Sequence, residues 1–245
     1  MTRVGLIAAM PGELKPLVKG WQHERRETPN SRPVDLWRSR QGDTELVAAC
    51  SGPGQQAATR AFAKVEKDGP LASVYSIGWV GALSASLHPR RAYTVTGVID
   101  MLTGERFQAQ GAPAGLWLVT SPRVANRAEK LRLANAYGAS LVDMEAAAVA
   151  RLAAMRGIPF HCVKGVSDGF NEDLPDFNRF ITPDGNFQTS RLLFFVLIRP
   201  WYWPSLIRMG ENSSKASQAI RDLLLENLNQ TGAIANQNGD SNFTR

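Results

Sequence analysis

Six short apolar runs constrain the fold more than anything else in the chain: Val4–Ala9, Glu45–Cys50, Ser73–Ile77, Ala92–Val98, Leu116–Thr120 and Pro159–Val166. Helical patterns at about 12–20, 54–67, 123–138 and 144–156 fall between some of them. Runs of this length, separated by helical patterns, read as strands covered by helices on both faces. The fold class expected is therefore α/β, with three layers and a mostly parallel central sheet flanked by helices. In such sheets ligands bind beyond the carboxyl ends of the strands. That rule selects Met10–Glu13, Ser51–Gly54, Gly78–Leu83, Thr120–Arg123 and Ser167–Asp168 as the rim of a site.

The length of 245 residues and the 44% hydrophobic content suit one sizeable core. We expect one domain over residues 1–228 and a disordered tail over 229–245, where Asn, Gln, Gly, Ser and Thr dominate. The N-terminal apolar run is too short for a signal peptide and reads as a buried strand, which leaves the cytoplasm as the expected compartment. Cys50 and Cys162 both lie in apolar runs and offer neither a disulfide framework nor zinc spacing. No metal or organic cofactor is expected. Lys and Arg number 28 against 22 Asp and Glu, but the basic residues are scattered, with no run longer than two. No nucleic-acid partner is therefore expected.

The segment Val142-Asp143-Met144-Glu145-Ala146-Ala147 opens a helix with two carboxylates in its approach. Asp143 is the expected N-cap, and Gly157 with Pro159 is the expected stop. A helix start favours acidic residues for its dipole alone, so the segment by itself says little about chemistry. The turn Ser51-Gly52-Pro53-Gly54 follows a strand and opens a helix, but it lacks the third glycine and the acidic partner of a dinucleotide fingerprint.

Four motifs in order change the weight of these residues. They are Val4-Gly5-Leu6-Ile7-Ala8-Ala9-Met10 with Glu13; Ile77-Gly78-Trp79-Val80-Gly81-Ala82-Leu83; Val142-Asp143-Met144-Glu145-Ala146-Ala147; and Val166-Ser167-Asp168. Over residues 1 to about 170 the chain resembles the nucleoside phosphorylase and nucleosidase superfamily, particularly the 5′-methylthioadenosine/S-adenosylhomocysteine nucleosidases. The resemblance implies hydrolysis of the N-glycosidic bond of an adenine nucleoside. Asp168 takes the part of the acid that protonates the leaving adenine, a role that asks for burial beside the base. Glu13 takes that of the carboxylate that positions and deprotonates the attacking water. Glu145 grips the ribose hydroxyls and Met144 packs against the sugar, with Gly78, Ser76, Ser167 and Val124 as further substrate-binding positions.

Phosphorolytic relatives hold phosphate with arginines at places that look like Ser76 and the 11–15 stretch here. Those places carry no arginine, so water is the expected nucleophile and phosphorolysis the alternative. Trp79, Val80 and Ala82 replace smaller or glycine residues, and Val124 stands near the place of the usual base-stacking aromatic. These departures keep open a third reading, a noncatalytic nucleoside-binding or membrane-associated protein. The segments Val119–Val124, Glu129-Lys130 and Gly138-Ala139, with Pro183-Asp184-Gly185, Arg199-Pro200 and Leu206-Ile207-Arg208, look closest to the hopanoid-associated branch, which acts on a lipid-linked adenosine. Trp201, Tyr202 and Trp203 between prolines then read either as a peripheral membrane anchor at the inner membrane or as a segment packed over the active site or on a second subunit. The apolar run Leu192–Ile198 and the family precedent make a homodimer the expected assembly.

Overall fold

The computed structural model describes residues 2–28, 31–112, 115–172, 176–180, 182, 188, 191 and 203–230. The Pro183-Asp184-Gly185 and Arg199-Pro200 segments, the Leu192–Ile198 run, Trp201, Tyr202 and residues 231–245 of the expected tail lie outside the described residues. Strands β1 (Thr2–Ala8), β4 (Thr44–Cys50), β5 (Ser73–Ala82) and β11 (Phe160–Asp168) form the centre of the sheet. β1 pairs in parallel with β4 and β5, and β5 with β11. All of β11 and nearly all of β1, β4 and β5 are buried, which is why these segments read as continuous apolar runs.

The expected α/β architecture is present, and its sheet is mixed. Among the described strands five pairings are parallel. Five others are antiparallel. The antiparallel share comes largely from hairpins. β2 (Gln22–Thr28) and β3 (Ser31–Gln41) extend one edge beyond β4, and β8 (Arg106–Gln108) closes the other against β7 (Gly97–Asp100). The single expected strand Ala92–Val98 is two, because β6 (Ala92–Thr94) pairs with β11 whereas β7 pairs with β9 (Trp117–Thr120). β10 (Leu141–Asp143) joins β9 to β5.

Helices α2 (Gln55–Glu66) and α4 (Ala146–Arg156) cover one face around Phe62, Val65 and a run of buried alanines. The alanines bring α4 close to the sheet. Helix α1 is one turn, Pro11–Leu14, not the expected 12–20 helix, because Pro16 lacks the N–H that continuation needs. Helix α3 spans Arg127–Tyr137, with Asn126 as its cap.

The opposite face is covered by α5, a 28-residue helix over Trp203–Gln230 that extends the amphipathic 217–228 pattern by four turns towards its N-terminus and runs two residues past the expected domain end. Ile220, Leu224 and Leu228 recur every four residues and meet Val4, Leu6, Tyr75 and Val163. A β-carbon on Gly165 would sit 2.9 Å from Ile220, so the bare glycine lets α5 lie close to β11.

Candidate active site

The strand ends expected to form a rim converge on one cavity of about 350 Å³. Glu13, Glu145, Met144, Asp168, Ser167 and Val124 all line it. Gly78 and Ser76 lie on β5 just behind its wall and act there through Glu13 and Lys164, described below.

Glu13 is delivered by the α1 turn and is 4% exposed. Its Oε2 accepts the N–H groups of Ala9 at 2.7 Å and Met10 at 2.8 Å, and its Oε1 accepts the N–H of Trp79 at 2.9 Å. Burial raises its pKa, opposed by these three amides and by the Lys164 ammonium. Gly78 makes the arrangement possible. Its φ is +144°, a conformation that side-chain-bearing residues rarely adopt, and a β-carbon there would stand 2.8 Å from Glu13 Oε1.

Glu145 occupies the N-cap position of α4, and the expected capping residue Asp143 instead ends β10. Asp143 still serves the helix from there, its Oδ2 accepting the Ala146 N–H at 2.9 Å while Oδ1 accepts the Thr120 hydroxyl at 2.7 Å. Glu145 Oε1 accepts the N–H of Gly54 at 2.7 Å, so the glycine-rich turn after β4 presents its amide to a carboxylate. Burial first, and Asp143 second, push the Glu145 pKa up to about 8.

Asp168 is aimed by an irregularity in β11. The register of β11 against β5 shifts between Val166, opposite Val80, and Asp168, opposite Gly81, so Ser167 is the extra residue of a bulge. Asp168 is 7% exposed, and its Oδ1 accepts the Ser167 hydroxyl at 2.7 Å. Its Oδ2 forms an ion pair with Lys130 of α3, itself 1% exposed. The carboxylate therefore does not stand alone in an apolar pocket, as the acid role alone would lead one to expect.

Two buried cations that no motif marks as site residues, Lys164 and Lys130, stand beside these carboxylates. Lys164 Nζ lies 2.9 Å from Asp143 Oδ2 and donates to Ser76 Oγ at 3.0 Å, and the carboxylate raises its pKa against the effect of burial. A lone lysine within the apolar β11 run was the available signal, because lysine is almost never fully buried without a partner. Lys130 gave no such signal, since helix α3 is otherwise polar.

Trp79 ties the site to α5. Its indole N–H donates to Ser217 Oγ at 2.8 Å, and its ring lies over Gly12. Leu206 and Met209, near the start of α5, and Phe177, of a 3-10 turn at Phe177–Phe180, add apolar wall to the cavity. Val124 is held by Asn178, whose amide bonds both its N–H, at 2.8 Å, and its carbonyl, at 3.0 Å. Arg123 also lines the cavity, but its guanidinium pairs with Glu129 and its side chain is 58% exposed.

Cys50 and Cys162 are free and buried, as their apolar runs imply. Among the described residues no group of three or more His, Cys, Asp or Glu is placed to hold a metal ion, and no helix is long and apolar enough to cross a membrane.

Solved structures share this fold across nearly the whole chain. The 5′-methylthioadenosine/S-adenosylhomocysteine nucleosidase of Helicobacter pylori with butyl-thio-DADMe-Immucillin-A superposes with a TM-score of 0.69 at 15% identity, covering 94% of this chain and 99% of that one. The 5′-methylthioadenosine nucleosidase of Arabidopsis thaliana gives 0.68 at 18% identity, with 98% of both chains covered. Futalosine hydrolase of Helicobacter pylori gives 0.68 at 13% identity, covering 94% of this chain and 98% of that one. No curated protein sequence matches the chain. The family model of the phosphorylase superfamily matches residues 3–130 and 103–197. With most of its length matched, and with the strand-end motifs gathered on one cavity, the chain belongs to the phosphorylase superfamily.

Proposed function

We propose that this protein is a purine nucleosidase that hydrolyses the N-glycosidic bond of an adenine nucleoside and releases adenine. The observation that carries the reading is the convergence of Glu13, Glu145 and Asp168 on a single cavity. Breaking a ribosyl N-glycosidic bond builds positive charge on the sugar and negative charge on the base, so it calls for carboxylates near the sugar and a proton near the base. Asp168 faces the base and passes a proton to N7. Glu13, anchored by three backbone amides, orients water and takes its proton. Glu145 binds the ribose hydroxyls with Met144 against the sugar, while Ser167 orients Asp168. Val124 completes the wall, Ser76 holds the Lys164 ammonium behind it, and Gly78 leaves room for the Glu13 carboxylate.

The nucleosidases with the same fold support this bond as the one cut. On the 5′ side, Leu206, Met209 and Phe177 favour an apolar substituent: a thioether as in 5′-methylthioadenosine or S-adenosylhomocysteine, or the lipid of an adenosylhopane. The lipid reading fits the exposure of Trp203 and Ile207, which stand one turn apart on α5 and suit peripheral contact with the inner membrane from the cytoplasm. We read residues 1–228, with the end of α5, as one catalytic domain that works as a homodimer.

The test is to incubate the pure protein with 5′-methylthioadenosine, S-adenosylhomocysteine and adenosylhopane and to follow adenine by chromatography, with Asp168→Asn alongside. Adenine is expected from at least one substrate. The variant should release it at least ~100-fold more slowly while keeping its circular dichroism spectrum. A wild-type protein that releases no adenine, or an Asp168→Asn variant with unchanged turnover, overturns the assignment.

A further inference from the structure

Lys130 has no part in the chemistry described so far, yet it is one of the largest fully buried side chains in the molecule and lines the cavity. Its ammonium pairs with Asp168 Oδ2 and donates to the carbonyl of Gly169 at 2.7 Å. The floor of β5 is shaped for this pair. A β-carbon on Gly81 would stand 3.0 Å from Asp168 Oδ2 and 3.2 Å from Lys130 Cε, so any side chain there would push into both. A buried ammonium costs several kcal/mol of desolvation, which a surface lysine of α3 avoids. Lys130 accepts that cost against the one carboxylate that the proposed reaction needs beside the base.

We propose that Lys130 is the positioning residue of base departure: it fixes Asp168 by the ion pair and supplies the proton that Asp168 hands to the base. The inference rests on the nucleosidase reading above. Because Asp168 stands in an ion pair with the Lys130 ammonium, an acid step through Asp168 draws its proton from that ammonium. As the C1′–N9 bond breaks and its electron pair moves to the purine, a Lys130 N–H bond breaks, the proton crosses to Asp168, and an Asp168 O–H bond is exchanged for an N7–H bond. Water forms the new C1′–O bond and gives its proton to Glu13. Lys130 is left as a neutral amine and Glu13 as a carboxylic acid, and proton exchange with solvent resets both after the products leave.

The pairing also separates two kinds of substrate. Adenine needs a proton to leave, whereas nitrophenolate does not. The experiment measures kcat on 5′-methylthioadenosine, or on whichever adenine nucleoside the wild-type protein turns over, and on the 4-nitrophenyl glycoside of the same sugar. It compares wild type with Lys130→Met and Lys130→Gln. Should the Met variant unfold, the Gln variant carries the test, because its amide retains a donor and fills much of the same space.

We expect adenine release to fall at least ~100-fold in both variants while nitrophenol release stays within about 3-fold of wild type. Equal loss on both substrates marks a purely structural lysine and overturns the proposal. Adenine release within about 3-fold of wild type also overturns it and leaves the nucleosidase reading standing. A wild-type protein that releases adenine from no substrate removes the parent reading and this inference together.

Discussion

Replacing Gly78 by alanine tests whether the geometry around Glu13 is what the site depends on. The backbone at Gly78 has φ +144°, and the new methyl carbon would lie 2.8 Å from Oε1, 3.1 Å from Cδ and 3.2 Å from Oε2 of Glu13. Holding alanine in that conformation costs ~1–3 kcal/mol. Forcing a methyl group into a packed interior costs a further ~1–3 kcal/mol. The sum, about 2–6 kcal/mol, is a large part of the ~5–15 kcal/mol that stabilises a typical domain. For a chain of this size it corresponds to a fall in Tm of roughly 5–20 °C. The only local relief is for the Glu13 carboxylate to swing away, and that breaks the bond from the Trp79 N–H. A displacement of about 1 Å at a reacting group costs on the order of 100-fold in rate. Differential scanning calorimetry and adenine release measured on the same preparation check both parts. A variant with Tm within about 2 °C of wild type and kcat within about 3-fold would refute the argument, since neither the strain nor the displaced carboxylate would then exist.

Three other outcomes follow from the same contacts. Lys164→Met strands Asp143 without its cation and should cost ~3–5 kcal/mol in urea unfolding at pH 7, with Lys164→Met/Asp143→Asn recovering much of the loss. Glu145 is raised from an ordinary 4.5 to about 8, so between those values the folded protein holds a proton that the unfolded chain has released. Stability should fall as pH rises through that window, and the fall should be shallower in Glu145→Gln, read by urea midpoints at pH 5 and pH 8. Trp79→Phe keeps the ring over Gly12 but loses the donor to Ser217, so unfolding should be easier by ~0.5–1.5 kcal/mol.

Glu13 and Asp168 are legible in the sequence because each lies within a few residues of an expected strand end, whereas Glu145 follows β10, a three-residue strand absent from the expected set, and is legible only through the order of the four motifs. The partners of these carboxylates are less so. Lys130 is 38 residues from Asp168, and Lys164 is 88 residues from Ser76. Such pairings arise from the order of strands in the sheet and leave no local signature in α3. The β2–β3 hairpin went unread because Gln22-His23-Glu24-Arg25-Arg26 is polar throughout, as suits an edge that must not pair with other chains. The N-terminal half of α5 escaped for a related reason, since Pro204, Gly210 and Asn212 break the apolar rhythm that Ala216, Ile220, Leu224 and Leu228 establish after it. The mixed character of the sheet depended on hairpins that were not recognised, and the parallel centre on runs that were. Pro16, by contrast, was in plain view as the reason helix α1 stops after one turn.

The roles of the carboxylates and the choice of water as nucleophile meet in one measurement. A turnover of the adenine nucleoside in H₂¹⁸O, in phosphate-free buffer, is followed by mass spectrometry of the released sugar. The account predicts adenine and pentose in equal amounts, one ¹⁸O at the anomeric oxygen, and a rate unchanged when phosphate is added. A sugar 1-phosphate that forms only with phosphate, or no base released under either condition, would contradict it.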